Sequence, residues 1–425
     1  MSGAQGDKDR GASPRIVTFG CRLNSFESEV MREHAAAAGW RDVIIVNTCA
    51  VTGEAERQAR QAIRKLKHEN PEARIVVTGC AAQITPEAFG RMAEVDRVLG
   101  NAEKMDAAYY READLARISV GETQAMRGVS AHLVGGFEGR VRAFVEIQQG
   151  CDHRCTFCVI PLGRGPNRST PFSVIAGRVR ALIEAGYREL VLTGVDICSY
   201  GGEIPDQPGL GALVRRLLRE FPDLPRLRLT SLDPAAVDDE LLDLIALEDR
   251  LMPHFHLSVQ AGDDMVLRRM KRRHTRDQVL ALAEQLRRLR PGCALGADMI
   301  AGFPTETEAM FENGAALIGE AGFSHLHVFP YSPRPGTPAA GLPQLGRAVA
   351  KERAARLRAL GKQAMAAFQD ARIGGIAPVL AEREDFGHDP CYLPVRLTGN
   401  AVPGTIVAAR ITGREGERLI GEVEA

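Results

Sequence analysis

Cys151, Cys155 and Cys158 stand in the run Gly150-Cys151-Asp152-His153-Arg154-Cys155-Thr156-Phe157-Cys158, where thiols separated by three and then two residues can turn inward from one short loop. Deprotonated thiols are metal ligands. A cubane of four irons and four sulfides normally takes four cysteines, so three of them leave one iron open to another ligand. Spacing alone leaves a second possibility, a zinc loop completed by His153 or a distant residue. His153 taken singly reads as a solvated loop residue.

A second set of three lies upstream. The segments Arg15–Cys21, Val43–Cys49 and Arg74–Cys80 repeat one design, a β-branched apolar run that ends in a cysteine. Helix-like stretches separate them, Ser25 to Ala38 and Glu54 to Glu69, the latter with Ala59, Ile63 and Leu66 on one face and basic residues on the other. Alternation of this kind builds an open parallel sheet, whose strands present their carboxyl ends side by side at the binding crevice. Cys21, Cys49 and Cys80 are therefore expected to converge despite gaps of 28 and 31 residues. The alternative is that each is only a small apolar residue at a strand end.

These sites sit in a chain of ordinary globular composition. Its 425 residues suggest two or three domains, and 45% hydrophobic residues supply a large core. Basic and acidic residues number 54 each, so no global field draws the protein to nucleic acid or membrane, and a charged partner must meet a local patch. Nine cysteines are too few for a disulfide scaffold, and six of them fall into the two triplets, which favours metal ligation in a reducing compartment. Cys198, Cys293 and Cys391 read as structural. Residues 1–14 read as a disordered tail without a signal-type apolar stretch, and no run is long enough to cross a bilayer. A cytoplasmic protein with no membrane partner is expected.

From about Arg140 a second alternating series begins, with strands expected at Val141–Ile147, Glu189–Val195, Arg226–Leu232, Phe255–Val259, Ala294–Ile300 and His325–Phe329. Six parallel strands with helices between them make an incomplete version of the eight-strand barrel, whose active site gathers at the carboxyl ends of its strands. The Cys151 loop follows the first of these strands. An Ala/Arg-rich helix from about Arg347 to Asp370 leads out, and short alternating runs such as Tyr392–Leu397 and Thr405–Ile411 indicate a small antiparallel barrel. The fold class is thus α/β. The expected division is an N-terminal open parallel sheet over 15–130, a partial (β/α)6 barrel over 137–345, a linker helix over 346–371 and a small β-barrel over 372–425.

The stretches Thr18–Ser25, Val46–Thr52, Gln148–Cys158, Gly163–Ser169 and Asp298–Glu306 together resemble the radical S-adenosylmethionine methylthiotransferases, and within them the type acting on threonylcarbamoyladenosine in tRNA. The resemblance covers about Arg15 to Ala425. It implies that Cys151, Cys155 and Cys158 hold one [4Fe-4S] cluster, whose open iron is chelated by S-adenosyl-L-methionine, and that Cys21, Cys49 and Cys80 hold a second. It implies a C-terminal RNA-binding TRAM domain, an external electron donor of flavodoxin or ferredoxin type, and replacement of the hydrogen on adenine carbon 2 by a methylthio group at tRNA position 37. One S-adenosylmethionine would donate its methyl group and another would be cleaved to a 5'-deoxyadenosyl radical. The chemistry agrees: an aromatic C–H is not acidic, so no histidine or carboxylate removes it near neutral pH, whereas a carbon radical does. Insertion then needs a sulfur source beside the attacked carbon, which an open iron of the second cluster could carry. The same chemistry on isopentenyladenosine in tRNA, or on an aspartate of a ribosomal protein, is an alternative. So is a noncatalytic iron-sulfur or zinc module that binds RNA.

Further roles follow from the resemblance. Thr193, Gly194 and Asp196, at the end of the second barrel strand, are expected to contact the amino end of S-adenosylmethionine. Arg168 and Ser169 are expected at its carboxylate or a cluster sulfide, Phe157 within the cysteine loop beside it, and Gln260 at its ribose. Gly302 and Phe303 are expected where backbone approaches its adenine. Gly201-Gly202-Glu203 reads as a turn. Two basic runs, Arg57, Arg60, Arg64 with Lys65 and Arg268, Arg269, Lys271, Arg272, Arg273 with Arg276, are candidate phosphate contacts or solvated helix faces. Arg372 to Ala425 holds six basic against eight acidic residues, so this barrel is not basic, and Tyr392, Arg396 and Arg410 are left as its candidate RNA surface.

Overall fold

A computed structural model of the chain describes residues 14–111, 116–126, 128, 132, 136–137, 139–204 and 208–424. The tail expected over 1–14 lies, up to residue 13, outside the described residues. The chain forms two compact units, Met1–His132 with Val159–Pro166, and Leu133–Cys158 with Asn167–Ala425.

The first unit is a parallel sheet in chain order: β1 (Arg15–Thr18), β2 (Val43–Thr48), β3 (Arg74–Gly79), β4 (Arg97–Leu99) and β5 (Ile118–Ser119). The sequence indicated the first three; the last two, of three and two residues, are too short to show a period. All six residues of β2 are buried, as in a strand covered on both faces. Its alternate residues feed different cores. Ile44 and Val46 pack with Ile63, Leu66, Ile75 and Val77, and Val43 and Ile45 with Met31, Ala35, Leu99 and Tyr110. The helix Gly53–Glu69 begins where the Thr52 hydroxyl accepts from the Ala55 N–H and buries the expected Ala59, Ile63 and Leu66. Val159, from the short returning segment, belongs to the first of these cores.

In the second unit β6 (Arg142–Glu146) is followed by a hairpin of β7 (Gln148–Gln149) and β8 (Arg168–Ser169), then by β9 (Glu189–Thr193) and β10 (Arg226–Leu229). The strands β11 (His254–Gln260), β12 (Ala294–Ala301) and β13 (His325–Pro330) continue the series. The order β6-β9-β10 and β11-β12-β13 is all parallel, and bridges Leu227 to Leu251 and Leu232 to Leu257 join the halves. That is the expected six-strand partial barrel. The helix Arg347–Asp370 follows, and then β14 (Ile376–Arg383), β15 (Phe386–His388), β16 (Pro394–Thr398), β17 (Ile406–Glu415) and β18 (Arg418–Val423) close a small barrel in the order β14-β15-β16-β18-β17.

This small barrel shares its core with Ala294 at the start of β12 and with Met365 and Phe368 of the preceding helix. Tyr392 faces the amino-terminal end of the larger barrel. Its ring stacks with His254 and His388, and the guanidinium groups of Arg142 and Arg228 lie 4.8 and 5.0 Å from its centre. Tyr392 is therefore engaged in holding two barrels together, which corrects its expected place on an RNA surface. Arg396 and Arg410 remain outward but pair with Glu415 and Glu424.

The first unit also buries charge. Glu27, on the helix Arg22–Ala37, accepts from Lys104 Nζ at 2.7 Å and from Arg164 Nη1 and Nη2 at 2.7 and 3.1 Å. All three side chains are at most 2% exposed. Burial alone would raise the Glu27 pKa, but Arg164 and Lys104 outweigh it and hold the carboxyl at about 2, below its ordinary 4.5. Because the folded value is depressed, the contribution to stability is complete above about pH 4.5 and is lost as pH falls toward 2. Glu27→Gln leaves two buried cations underpaired and should cost on the order of 3–5 kcal/mol. Denaturant melts of the full chain at neutral pH check that magnitude, and melts from pH 5 downward should show a shallower acid loss in the variant than in the parent chain.

Candidate metal centres and cofactor site

In the first unit the strands stop at Thr18, Thr48 and Gly79. Cys49 and Cys80 directly follow β2 and β3, and Cys21 follows β1 after a two-residue turn as the residue that starts the helix Arg22–Ala37. Two glycines permit this. Gly20 has φ of +102°, and a Cβ there would lie 2.8 Å from Cys49 Cβ and 3.0 Å from its Sγ. At Gly79 a Cβ would lie 2.3 Å from the Thr48 carbonyl oxygen. The strand ends are tied by Asn24 Nδ2, which donates to Phe19 O and Thr48 O, and by the Thr48 hydroxyl, which donates to Thr78 O at 2.6 Å. Asn101 Nδ2 lies 3.9 Å from Cys80 Sγ and donates to Gly163 O at 2.6 Å. Burial pushes the Cys49 thiol up to about 11, and Cys80 and Cys21 raise it further while Arg164 opposes them. The three thiols thus share one electrostatic neighbourhood, with the Arg164 cation within it.

In the second unit the Cys151–Cys158 loop is fixed by its neighbours. Gln148, fully buried, donates from Nε2 to Gly150 O at 2.7 Å and to the side chain of Asn167, and its Oε1 accepts from the backbone N–H of Val195 and Asp196 at 2.9 Å each. A Cβ at Gly194 would lie 2.8 Å from that Oε1, so glycine lets the glutamine dock. One side chain therefore sets both the cysteine loop and the segment after β9. At the other end of the loop, Thr156 bonds to the carbonyls of Met270 and Arg269 and accepts from Ala339 N. Burial pushes the Cys151 thiol up to about 12, with Asp196, Cys158 and Cys155 adding to the rise.

All nine cysteines are free thiols. Among the described residues the tight three-donor groups are Cys151–His153–Asp196 and His256–Asp298–His327, each with its donor atoms within 4.8 Å of one another. Neither cysteine triplet is drawn in that closely, as a single tetrahedral zinc with bonds of about 2.3 Å would require. His153 turns toward Asp196, with Nε2 at 2.8 Å from Oδ2.

The remaining expected contacts are distributed as follows. Thr193 ends β9, almost wholly buried, and Asp196 also accepts from the Ser199 hydroxyl at 2.6 Å. Arg168 and Ser169 form β8 beside the cysteine loop. Gly201 to Glu203 is a turn, but the Glu203 carboxylate reaches back to Asn167 Nδ2 at 2.6 Å and to the N–H and hydroxyl of Ser169. Gln260 ends β11 in left-handed backbone, φ +72°, after a bulge. Phe157 packs with Ile300 and Tyr331 over Val266, Leu267 and Phe303. Gly302 is approached most closely by another helix: a Cβ there would lie 2.5 Å from Ala350 Cβ, and Phe303 is fully buried.

Arg272 corrects another expectation. Its side chain is 8% exposed, with Nη1 at 3.6 Å from Cys155 Sγ and Nη2 donating to Ser258 O at 2.8 Å, so it faces the cysteine loop and not RNA. Arg273 and Arg276 pair with Asp233 and Glu320, and Arg269 binds Thr305. The upstream run is a solvated face whose Arg57, Arg60, Arg64 and Lys65 pair with Glu54, Glu56, Glu94 and Glu69. The sequence marked Arg272 only as a candidate phosphate contact and Gln148 only as part of the Gln148–Cys158 stretch; the positioning role of each depends on tertiary partners.

A model of the radical SAM superfamily matches residues 145–318, and one described as uncharacterized protein family UPF0004 matches residues 14–100. The threonylcarbamoyladenosine tRNA methylthiotransferase MtaB of Rickettsia prowazekii is 49% identical over 94% of this chain and 95% of its own. The chain belongs to the radical S-adenosylmethionine methylthiotransferase family. The MtaB protein of Thermotoga maritima is 34% identical over 96% of each chain, and a tRNA-2-methylthio-N(6)-dimethylallyladenosine synthase of Cereibacter sphaeroides is 34% identical over 96% of this chain and 97% of its own. Among solved structures, the radical S-adenosylmethionine methyltransferase TsrM of Kitasatospora setae aligns over 77% of this chain and 75% of its own with a TM-score of 0.54 at 15% identity, which is a likeness of fold.

Methylthiotransferases of this family use S-adenosyl-L-methionine and [4Fe-4S] clusters. The residues present fit those groups. Each site offers three free thiols, and burial together with neighbouring negative charge disfavours the bare thiolates of Cys49 and Cys151, a cost that binding to iron relieves. Arg272→Met removes a cation at 3.6 Å from Cys155 Sγ and should lower the midpoint potential of a cluster held by that loop, because the added electron loses a counter-charge. A redox titration followed by electron paramagnetic resonance checks the direction, and an unchanged potential would show that the guanidinium serves packing alone.

Proposed function

We propose that this chain places a methylthio group on carbon 2 of N6-threonylcarbamoyladenosine at position 37 of tRNA. The observation that carries the reading is the pair of three-thiol sites at strand ends, in a chain that matches a threonylcarbamoyladenosine tRNA methylthiotransferase over nearly its whole length. In this reading Cys151, Cys155 and Cys158 hold the cluster that binds S-adenosylmethionine, Cys21, Cys49 and Cys80 hold the auxiliary one, and residues 372–425 are the TRAM domain. When bound, the first cluster with S-adenosylmethionine supplies a 5'-deoxyadenosyl radical able to take a non-acidic aromatic hydrogen.

The chain's own residues then do the positioning. Gln148 holds the cysteine loop and the backbone of Val195 and Asp196 in one register, so ligand donors and the expected cofactor contacts at Thr193, Gly194 and Asp196 move together. Glu203 and Asn167 brace Arg168 and Ser169 through the β7–β8 hairpin. Arg272 places positive charge beside the thiolates. Phe157, Ile300 and Tyr331 form an apolar wall next to the loop that helps exclude water. A small electron-transfer protein of flavodoxin or ferredoxin type completes the system, and the reaction takes place in the cytoplasm.

Two measurements test this. Deletion of the gene should remove the methylthio-threonylcarbamoyladenosine peak from the nucleosides of total tRNA and leave methylthio-isopentenyladenosine in place; an unchanged peak rejects the assignment. Anaerobically purified protein should carry about eight irons per chain and Cys155→Ala about four, with loss of 5'-deoxyadenosine release; a variant that retains eight irons or still releases the nucleoside would remove Cys155 from the site.

A further inference from the structure

Three adjacent strands of the partial barrel carry a cluster that the reaction as described does not use. His256 on β11, Asp298 on β12 and His327 on β13 meet at one carboxylate oxygen: His256 Nε2 lies 3.0 Å and His327 Nδ1 3.2 Å from Asp298 Oδ1, and the two imidazole rings are 4.5 Å apart. Strand pleating fixes their direction. Met299 reaches the helix Glu308–Ala321 at Gly314 and Leu326 reaches the helix Arg347–Asp370 at Gly361, so the residues next to them, Asp298 and His327, point to the opposite face, into the barrel. Gly296 makes room. A Cβ there would lie 2.3 Å from His256 Nδ1, so only glycine lets that ring lie across β12 to the aspartate.

The cluster is graded from buried to open. His256 is 6% and Asp298 20% exposed at the side chain, whereas His327 is 59% exposed and has no hydrogen bond from Nε2 among the described residues. Its depth is also fixed. Two residues beyond His256, about 7 Å along the strand, the Ser258 carbonyl accepts from Arg272, whose other nitrogen is 3.6 Å from Cys155 Sγ. On the amino-terminal side His254, two residues before His256 on the same strand, stacks on Tyr392. His327 is thus an open polar group on the barrel wall, one pleat below the layer that touches the cluster loop.

We infer that His327, held by Asp298, binds the carboxylate of the threonylcarbamoyl group and so selects that substrate over adenosines with a hydrocarbon substituent on N6. The inference rests on the reading under Proposed function. An imidazole tethered through Nδ1 to a carboxylate presents Nε2 in one direction, toward an acceptor on the substrate. Both imidazoles meet one carboxylate oxygen at hydrogen-bond length, which fixes the orientation of the His327 ring. The discrimination follows from desolvation. A threonylcarbamoyl carboxylate replaces the water lost by His327, whereas a dimethylallyl group would cover His327 and leave it unpaired.

The test uses the full chain with both clusters reconstituted and anticodon stem–loop RNAs that carry threonylcarbamoyladenosine, dimethylallyladenosine or plain adenosine. Fluorescence anisotropy should show the wild-type protein preferring the first RNA over plain adenosine by roughly tenfold or more, the scale of one charge-assisted hydrogen bond. His327→Leu should erase that preference while plain-adenosine binding and iron content stay unchanged. In turnover it should lower kcat/KM for the threonylcarbamoyl RNA roughly ten- to a hundredfold, mainly through KM. His327→Gln, which keeps a donor, should recover part of the loss. A Leu variant that keeps the wild-type preference overturns the inference. A wild-type protein that methylthiolates only the dimethylallyl RNA overturns the proposed substrate instead, so the two failures are distinguishable.

Discussion

Three thiolates cannot share a pocket in a folded protein unless positive charge joins them, and the architecture answers that constraint. The first triplet stands at the carboxyl ends of three parallel strands and the second in one loop pinned by Gln148 and Thr156, so the thiols do not swing apart to relieve their repulsion. Each has an arginine beside it, Arg164 in the first unit and Arg272 in the second. Those two arginines are costly to bury. Arg164 is sustained by Glu27 and Asn24 at hydrogen-bond length, and Arg272 by Ser258 O and Asp233. The acidic residues matched to them, Glu27 and Asp233, are both held below the ordinary carboxylate range despite burial. The charge network extends from the two thiol triplets outward.

Glutamine performs a different service. Gln148 uses an uncharged amide to hold two backbone N–H groups and a carbonyl at once, which keeps the cofactor segment after β9 in register with the cysteine loop without adding charge near the thiols. A carboxylate in its place would raise the cost of every thiolate nearby.

Much of this was legible in the sequence because it depends on local pattern. Apolar runs fixed β2, β3 and the six barrel strands, helical spacing fixed the buried face of Gly53–Glu69, and the Ala/Arg-rich stretch became the helix Arg347–Asp370. What escaped depends on tertiary partners. The runs of arginine in 57–65 and 268–276 look alike in one dimension, yet one is paired along its own helix and toward Glu94, and the other sends Arg272 to a cysteine. Tyr392 sits in a polar turn and reads as surface, but a second barrel covers it. Neither β4 nor β5 is long enough to show alternation.

The excursion Val159–Pro166 bears on how the protein comes to be made. Those eight residues supply Val159 to the N-terminal core, a carbonyl to Asn101 and the guanidinium that neutralises Glu27. During synthesis the N-terminal core therefore remains incomplete, with Glu27 paired to Lys104 alone, until the ribosome has released the chain past Pro166. By then Cys151, Cys155 and Cys158 have also emerged, so maturation of the first unit waits for the loop of the second, and a protein truncated at residue 132 would lack a piece of its own interior.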